Sequence, residues 1–386
     1  MRTWRRILAV FLAVVMLVGI LPTSVLAAES GGILINGEVL IENGAVVEGT
    51  LPAGVSYSNG VLTLDNAQLT SVHAWEADTL TLQLVGNNTI AFTGTEDISD
   101  AALKFDVCGA VTIQGDGSLT VTSPVIAICF WESDAGGTLT ITDGATVTAT
   151  SSSGYWKVEP EDEYGYSGLD ISGDLVVTDN ATLNATSGWM GILLQGDMNL
   201  TDSAVTTNRI HIHGKESGTA SENYEPTTTT VGSGARLSVT AREEDEVDTF
   251  LGVLDNATLR LVGGGAIHVN ITAKDVDYIS GLNVHPAGHV SIEGGKLDVV
   301  TRSGRGIRVE NGASFSQSGG TVTVQYDPSL ESPTAADHYD SVGLELITGG
   351  EASISGNAVF QTENLDCGFY LSDALTINGG THTLEG

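Results

Sequence analysis

The sequence predicts an all-β protein, a right-handed parallel β-helix of about ten to eleven three-strand coils with an N-terminal β cap. The first supporting observation is a repeat. Two consecutive units of alternating strands and tight turns start at Gly281 and Gly306, 25 positions apart. A period of this length made only of strands is typical of solenoids. Strands that return to the same face in successive coils run parallel, and parallel crossovers are right-handed.

The second observation is a pair of apolar columns. Ten segments share the pattern of residues 281–284, and they start at Ala102, Ala127, Gly168, Gly191, Arg209, Phe250, Gly281, Gly306, Gly343 and Gly368. The second and fourth residues of every segment are apolar, as Leu282 and Val284 are. Because side chains alternate across a strand, both columns point to the same side. Stacked over the coils, these columns predict the interior of the helix.

The third observation is the chemistry of the turns. Asp143-Gly144, Asp179-Asn180 and Gly379-Gly380 precede third strands, and these residue types tolerate the positive φ of a sharp corner. The third strands are rich in Thr and Val, which suit β-structure. Where the repeat exceeds its basic length, the excess forms insertions, at 151–167, 214–226, 241–249 and 326–341. Insertions on a solenoid are the expected place for function.

The remaining segments divide the chain in three. Residues 1–27 combine Arg2, Arg5 and Arg6 with an apolar run and end on Ala27, which predicts a cleaved secretory signal. An uncleaved membrane anchor is the alternative. Residues 28–70 form a β cap with lead-in strands, and residues 71–386 form the β-helix. After signal cleavage we expect no membrane span, and a location that is extracellular or associated with the cell surface.

Charge excludes some partners. The chain has 48 Asp and Glu against 15 Lys and Arg, a net charge of −33, and signal cleavage removes three of the arginines. Such a surface repels nucleic acid and anionic lipid. The three cysteines, Cys108, Cys129 and Cys367, form no even-numbered framework, so we expect free thiols. A Cys108–Cys129 pair stays open, because the two residues lie about one repeat apart.

Three short segments resemble a known family. Residues 54–57, 60–67 and 84–90 are similar to those of secreted Firmicutes right-handed parallel β-helix proteins, of the carbohydrate-binding domain-containing type within the pectin-lyase-like superfamily. The resemblance covers roughly residues 31–386 and implies the fold; it does not assign a function, because the repeats are scaffold signals and the superfamily hosts many activities. The sequence differs from those of polygalacturonases, because the triplets Asn-Thr-Asp, Gly-His-Gly and Arg-Ile-Lys of that family do not occur in it. The activity implied by that enzyme family is therefore in doubt.

Aromatic residues concentrate beside the first strands. Amphipathic rings on a polar surface indicate recognition. The candidate glycan-binding residues are Trp131, Trp156, Tyr164, Tyr166, Asp170 and Trp189. The alternative is that these rings pack onto their own loops. A neutral glycan is favoured, because the net charge repels an anionic one.

Two further groups are weaker candidates. Arg308, Glu310 and Glu345 lie on the outer side of adjacent first strands, as paired catalytic carboxylates or as a surface ion pair. The acidic insertion with Glu159, Glu161, Asp162 and Glu163 predicts a weak calcium site or a solvated charge run. No other cofactor is expected. His211 and His213 share the outer face of one strand, either as metal ligands or as solvated residues.

Three functions follow from these observations. The first is a non-catalytic glycan-binding module of adhesin type. The second is a polysaccharide-degrading enzyme, a lyase or glycoside hydrolase of pectin-lyase-like type. The third is a structural spacer of a surface protein. Residues 381–384 have the pattern of a strand with no cap after it, which predicts end-to-end contact at the C-terminus.

Overall fold

The computed structural model describes residues 31–47, 51–94, 101–132, 136–152, 155–159, 162–216, 224–242, 249–272, 279–302, 304–327 and 341–384. For 155–159 and 162–165 it describes the backbone alone. The described residues form a parallel β-helix, as the repeat predicts. No described helix is long and apolar enough to span a membrane. Each coil contributes one strand to each of three stacked ladders, here named sheets 1, 2 and 3.

Sheet 1 contains the first strand of each coil. In the described part of the chain its parallel strands are Val72–Trp75, Ala101–Cys108, Ile126–Glu132, Ser167–Ile171, Met190–Gln195, Ile210–His213, Thr249–Val253, Ser280–Val284, Arg305–Val309, Val342–Leu346 and Cys367–Leu371. The alignment from sequence omitted Val72–Trp75. Its register with the next strand pairs Val72 with Leu103 and Ala74 with Phe105, in the same two apolar columns.

Sheet 2 contains the second strands. They are Val61–Asp65, Thr79–Val85, Ala110–Gln114, Thr138–Ile141, Asp174–Val177, Met198–Leu200, Thr227–Val231, Ala257–Leu261, His289–Ile292, Ser314–Gln317 and the first parts of Glu351–Glu363 and Leu375–Leu384. Val55–Ser58 pairs antiparallel with Val61–Asp65 at the start of this ladder.

Sheet 3 contains the third strands. They are Gln68–Leu69, Asn87–Ala91, Ser118–Ser123, Thr146–Ser151, Thr182–Thr186, Ala204–Thr207, Arg236–Thr240, Ala266–Asn270, Lys296–Thr301, Thr321–Tyr326 and the second parts of Glu351–Glu363 and Leu375–Leu384. The last two coils therefore run from sheet 2 into sheet 3 without a break in the strand.

An antiparallel cap covers the first coil. Gly32–Ile35 pairs antiparallel with Val72–Trp75 on one side and with Glu38–Glu42 on the other, and Ala45–Val46 follows. The two connecting turns are hairpins with positive φ at both residues, as at Asn36 (55°) and Gly37 (83°). This combination suits the Asn-Gly dipeptide, which occurs in both turns. The cap gives the first strand of sheet 1 a hydrogen-bonded neighbour, which an open solenoid end lacks.

The interior is built from the two predicted columns. From Leu103 and Phe105 to Leu344 and Leu346, every member is at most 1% exposed. Neighbouring coils place like residues in contact, as where the Phe105 and Phe130 rings lie 6.4 Å apart. Burying such side chains stabilises each by roughly 1.5–3 kcal/mol. The last described coil differs, because Phe369 is half-buried and Leu371 is 44% exposed, and no described coil is stacked on them.

The corners confirm the predicted turn chemistry. Positive φ occurs at Asp143 (54°), Asp179 (54°), Asn180 (63°) and Asp202 (45°), the acidic and amide residues that precede third strands. These side chains tolerate the left-handed region better than other non-glycine residues do. Corner residues of neighbouring coils also form hydrogen bonds with each other: Thr142 Oγ1 donates to Asp179 Oδ2 at 2.8 Å. The corners of the coils therefore lie where residues that tolerate positive φ occur.

Two insertions form hairpins of their own. Tyr155–Glu159 pairs antiparallel with Asp162–Gly165, between a sheet 3 strand and a sheet 1 strand. Lys215–Glu216 pairs with Tyr224–Glu225, after a sheet 1 strand. Lys215 Nζ forms an ion pair with Glu132, which follows the Trp131 position on sheet 1. Both insertions therefore lie along the borders of the outer face of sheet 1. All three cysteines are free thiols, and Cys108 and Cys129 are buried.

Candidate functional site

The outer face of sheet 1 carries a row of side chains in register, one from each coil. This outer row is His73, Lys104, Cys129, Asp170, Leu193, His211, Gly252, Asn283, Arg308, Glu345 and Tyr370. Each member lies between the two buried columns of its own strand and therefore points away from the core. Adjacent strands lie about 4.8 Å apart, so neighbours along the row can touch. Titratable residues make up most of this row.

Trp131 points outward from Ile126–Glu132, the third described strand of sheet 1. Its ring packs against Ala101, Ile126 and Cys129, and it is half-buried. The ammonium group of Lys104 lies over the ring, 4.3 Å from its centre, which is a cation–π contact. Cys129 belongs to the outer row but is fully buried beneath this cluster. Burial, and secondly the charge of Asp170, raise the pKa of the Cys129 thiol well above its usual value. This thiol is therefore inert at neutral pH.

Asp170 lies next to Cys129 in the outer row and is half-buried. Burial raises the pKa of its carboxyl group to about 6. Within the described residues, no hydrogen bond or ion pair to this carboxyl group is found. A carboxyl group in this state can accept or donate a hydrogen bond near neutral pH, depending on its proton.

Trp189 lies two strands from Trp131, at the corner that enters Met190–Gln195. The Ser187 hydroxyl group holds this corner, because it accepts from the Trp189 backbone amide at 3.0 Å and donates to Met190 O at 2.8 Å. The guanidinium group of Arg209 lies 5.8 Å from the Trp189 ring centre. Each of the two tryptophans is therefore paired with a cation. We call Lys104, Trp131, Asp170, Trp189 and Arg209 the aromatic end of the face.

The hairpin of the 151–167 insertion lies beside the aromatic end. Trp156 is opposite Tyr164 in the strand register, and Glu159 is opposite Asp162. The side chains of these four residues and of Glu163, and all of Glu161, lie outside the part that the structure describes. Their predicted glycan and calcium roles stay predictions. Tyr166, after the hairpin, is half-buried. No group of three His, Cys, Asp or Glu side chains in the described residues is arranged to hold a metal ion.

Three histidines lie further along the face. The His211 ring is 5.9 Å from His213 and 6.4 Å from His285, centre to centre. Arg209 Nη2 lies 3.2 Å from His211 Nε2, and burial followed by the Arg209 charge holds the pKa of His211 well below its usual value. Gly252 is next to His211 in the row, where a Cβ atom would lie 2.8 Å from the imidazole. The histidines are thus packed between neighbours, and the expectation of two solvated residues does not describe His211.

His213 has a carboxylate partner. Its Nδ1 lies 2.9 Å from Asp255 Oδ2, in the turn after the next sheet 1 strand. This pairing depends on the stacking of two coils that are 42 positions apart in sequence. Asp255 cannot be recognised from the sequence, since nothing in the local pattern distinguishes it from other turn aspartates.

Glu310 lies at the centre of a second polar group. Its Oε1 accepts a hydrogen bond from Asn283 Nδ2 at 3.1 Å, and its Oε2 lies 3.4 Å from His285 Nδ1. Arg308 Nε is 3.7 Å from Oε1 of the same carboxylate. Asn283 is 4% exposed and Thr249, 3.5 Å from its amide nitrogen, is 5% exposed. A polar group this deep on the outer side of a sheet is unusual for a freely solvated surface.

Glu345 completes this group. Its Oε2 lies 3.4 Å from Arg305 Nε and 3.5 Å from Arg308 Nε, and the residue is 8% exposed. The predicted Arg308–Glu345 ion pair is therefore present. Arg305 was missed, because it stands one position before the aligned start of its strand and its direction could not be derived from alternation. We call Asn283, His285, Arg308, Glu310 and Glu345 the charged end of the face.

The charged end bears on the catalytic hypothesis. Arg308 Nε contacts both Glu310 and Glu345, so the two carboxylates share one cation. Glycoside hydrolysis needs one carboxyl group that protonates the leaving oxygen and a second that acts as base or nucleophile. The structure thus contains both the paired carboxylates and the predicted ion pair, and the catalytic role of these residues stays a prediction.

Two depressions lie elsewhere in the described part of the molecule. One lies between the cap and the first coil and is lined by Ile41, Tyr57 and Leu80 among others. The other is open on sheet 2 beside Ser314, Ser316 and Glu351. Neither is lined by residues of the outer row. The chemistry-bearing groups are on sheet 1, so we take its outer face as the candidate site.

Comparisons with known proteins leave the function open. No protein-family model matches the chain, and no curated protein matches it. Among solved structures, the chain is similar to a hyper-glycosylated TibA fragment, residues 55–350, whose glycosylation was catalysed by TibC, with 13% identity over 83% of this chain and 94% of that chain. The TM-score is 0.23, which is too low to support an argument about fold or function. The fold therefore rests on the strand pairing described above.

Proposed function

We propose that the protein is a secreted, non-catalytic glycan-binding module of adhesin type. The observation that supports this proposal is the aromatic end of sheet 1, where two half-buried tryptophans, each paired with a cation, flank a carboxyl group without a partner among the described residues. Trp131 and Asp170 lie on two successive sheet 1 strands, and Trp189 lies at the corner that enters the third. The register places Trp131 level with Gln195, six residues beyond Trp189, so the two tryptophans lie on opposite sides of Asp170, about 20 Å apart along the strand direction. An oligosaccharide of several sugar units can span them.

Sugar chemistry matches these groups. The C–H faces of a sugar ring pack on aromatic planes, and its hydroxyl groups need both donors and acceptors. Lys104 and Arg209 supply donors beside the rings, and Asp170 supplies an acceptor between them. Affinity from such a shallow face is modest, because loops and rings lose freedom on binding. A neutral glycan is favoured, since a chain of net charge −33 repels an anionic one.

A glycan array followed by titration tests this proposal. The Trp131→Ala/Trp189→Ala double variant is expected to bind the best neutral oligosaccharide at least tenfold more weakly, because both stacking planes are lost. Tyr57→Ala, an aromatic truncation on the lead-in hairpin, is the matched control and should bind as wild type does. Circular dichroism confirms that each variant is folded. Unchanged affinity of the double variant contradicts the proposal and leaves the spacer function.

A polysaccharide-degrading activity is the second candidate. The neighbouring carboxylates Glu310 and Glu345 favour it, and their shared arginine opposes it. Release of reducing sugar or of unsaturated products from a polysaccharide panel separates this candidate from binding alone. Loss of that release in Glu310→Gln would assign the activity to this carboxylate.

We further propose weak calcium binding at the acidic insertion, with Glu159, Glu161, Asp162 and Glu163 as ligands. Hard cations take several oxygen ligands, and four carboxylates within five residues provide them. Millimolar calcium is expected to raise the melting temperature of wild type by a few degrees through mass action. The Glu159→Gln/Glu161→Gln/Glu163→Gln variant should lose that response. A melting temperature that neither calcium nor a chelator changes contradicts the site.

A further inference from the structure

Three buried acceptor atoms at the charged end have no hydrogen-bond donor among the described residues. One of them, Glu345 Oε2, lies against the cations of Arg305 and Arg308, and the other two are Asn283 Oδ1 and His285 Nε2. Asn283 as a whole is 4% exposed. A buried polar atom left unpaired costs roughly 1–3 kcal/mol, so such atoms in folded proteins call for an explanation.

The carboxylate of Glu310 orients both groups. Its Oε1 accepts from Asn283 Nδ2 at 3.1 Å, which turns the amide so that Oδ1 points elsewhere. Its Oε2 lies 3.4 Å from His285 Nδ1, which places the imidazole proton on Nδ1 and leaves the Nε2 lone pair free. Burial lowers the pKa of His285, while Glu310 opposes the shift, so the ring is neutral at neutral pH. One carboxylate thus presents two oriented acceptors.

The two acceptors belong to neighbouring outward positions of one extended segment. Asn283 and His285 are two positions apart, so their Cα atoms lie about 6.6 Å apart at the rise of a β-strand. The two acceptor atoms are covered, while the side chains of His285 and Glu310 are 25% and 23% exposed, so a ligand reaches the acceptors when these partly exposed side chains shift. Groups on opposite sides of a single pyranose ring can bridge such a distance.

We propose that Asn283 Oδ1 and His285 Nε2 form a second carbohydrate subsite, which accepts hydrogen bonds from two hydroxyl groups of a neutral sugar. The inference rests on the proposed glycan-binding function and extends it along the same face. Glu310 acts as the positioning residue. A hydroxyl ligand is preferred over an ammonium ligand, because Arg305 and Arg308 lie beside the site and repel a cation.

The subsite is continuous with the aromatic end. Arg209 connects Trp189 to His211, and the His211 ring lies 6.4 Å from that of His285. From the strand of Trp189 to that of Asn283 there are three strand spacings, about 14 Å. Asn283 is level with Leu193, four residues beyond Trp189, which adds about 13 Å along the strand direction. An oligosaccharide that stacks on Trp189 therefore reaches both acceptors by crossing the face diagonally, over roughly 20 Å.

Nitrogen NMR of ring-labelled histidine tests the subsite directly. The free protein should show His285 as the Nδ1–H tautomer, and Glu310→Gln should weaken that preference. Methyl β-D-glucoside is the hydroxyl probe and methylammonium the cation probe. Titration with the glucoside is expected to shift the His285 Nε2 resonance toward that of a hydrogen-bonded acceptor. No shift with the glucoside, or a shift with methylammonium alone, overturns the inference.

Affinity measurements separate this subsite from the aromatic end. Cellohexaose, mannohexaose and xylohexaose serve as neutral probes. His285→Phe and Asn283→Leu are each expected to weaken binding of the best hexasaccharide about tenfold, because each substitution removes one buried acceptor and its hydrogen bond to the sugar. His268→Phe, a histidine on the outer face of sheet 3, is the matched control and should bind as wild type does. Loss with the tryptophan variant but not with these two overturns the subsite and keeps the proposed function. Failure of wild type to bind any hexasaccharide counts against the proposed function, and the glucoside titration then decides the subsite.

Discussion

The aromatic end and the charged end of sheet 1 rest on the same inner structure and differ in how their polar groups are satisfied. At the aromatic end, Asp170 has no partner among the described residues and burial raises the pKa of its carboxyl group. At the charged end, Glu345 is deeper but lies against Arg305 and Arg308. Burial therefore leaves one carboxyl group without a cation among the described residues, while it sets the other against two arginines.

The difference shows where a solenoid can vary. Ile171 and Val309 occupy the same inner column at the two ends, and both are fully buried. Asp170 and Arg308 precede them in the outer row, with opposite charge. Stacking constrains the inner residues, because each touches the coil before and the coil after. The outer residues are constrained only by their neighbours in the row, so adjacent coils can carry different chemistry.

The largest expected effect comes from a change to the inner structure that both ends share. Leu282→Asp places a charge among apolar columns, where Leu282 is fully buried. We expect destabilisation of more than about 4 kcal/mol, because an unpaired buried charge has no compensation there. Thermal and denaturant unfolding measure it. The neighbouring outer change Asn283→Leu is the control, and equal destabilisation by the two variants would contradict the assigned register.

The second prediction tests the shared cation of the charged end. Arg308→Ala leaves Glu310 without this arginine and Glu345 with Arg305 alone. We expect a loss of about 3 kcal/mol in the free energy of unfolding, because a buried ion pair loses one partner. The control is Arg260→Ala, which removes an exposed pair with Glu293 and should change stability little. Equal effects of the two variants would show that the charged end is an ordinary solvated surface.

The third prediction concerns pH at the aromatic end and has the smallest expected effect. The folded-state pKa of Asp170 is about 6, above the unfolded value, so the folded protein binds the extra proton and this group's contribution to stability falls as pH rises through about 6. Asp170→Asn should therefore be more stable than wild type at about pH 7.5, by up to about 2 kcal/mol, and similar to it near pH 4. Denaturant unfolding at both pH values measures the difference. A variant that is less stable than wild type at the higher pH would mean that the charged carboxylate is stabilised by a partner.

Most of the scaffold could be predicted without the structure, because a stacked repeat has a local signal. The aligned starts at Ala102, Gly281 and Gly343 match the strand register. The coil at Val72 was missed, since it lies beside the lead-in strands and far from the next start. Leu371 departs from its column because no described coil covers it. These differences occur at the ends of the solenoid, where the periodic environment stops.

Sequence alone determined the β-helix, its inner columns, its corners and the outward direction of Trp131, Arg308 and Glu345. These properties follow from alternation and period, which act over a few residues. Tertiary structure decided what the outer residues touch. Arg305 meets Glu345 across 40 positions, and Glu310 meets Asn283 across 27, through the exact stacking of coils whose insertions differ in length. A contact between side chains depends on the register and the rotamers of two coils at once, and the residue pattern of one strand determines neither.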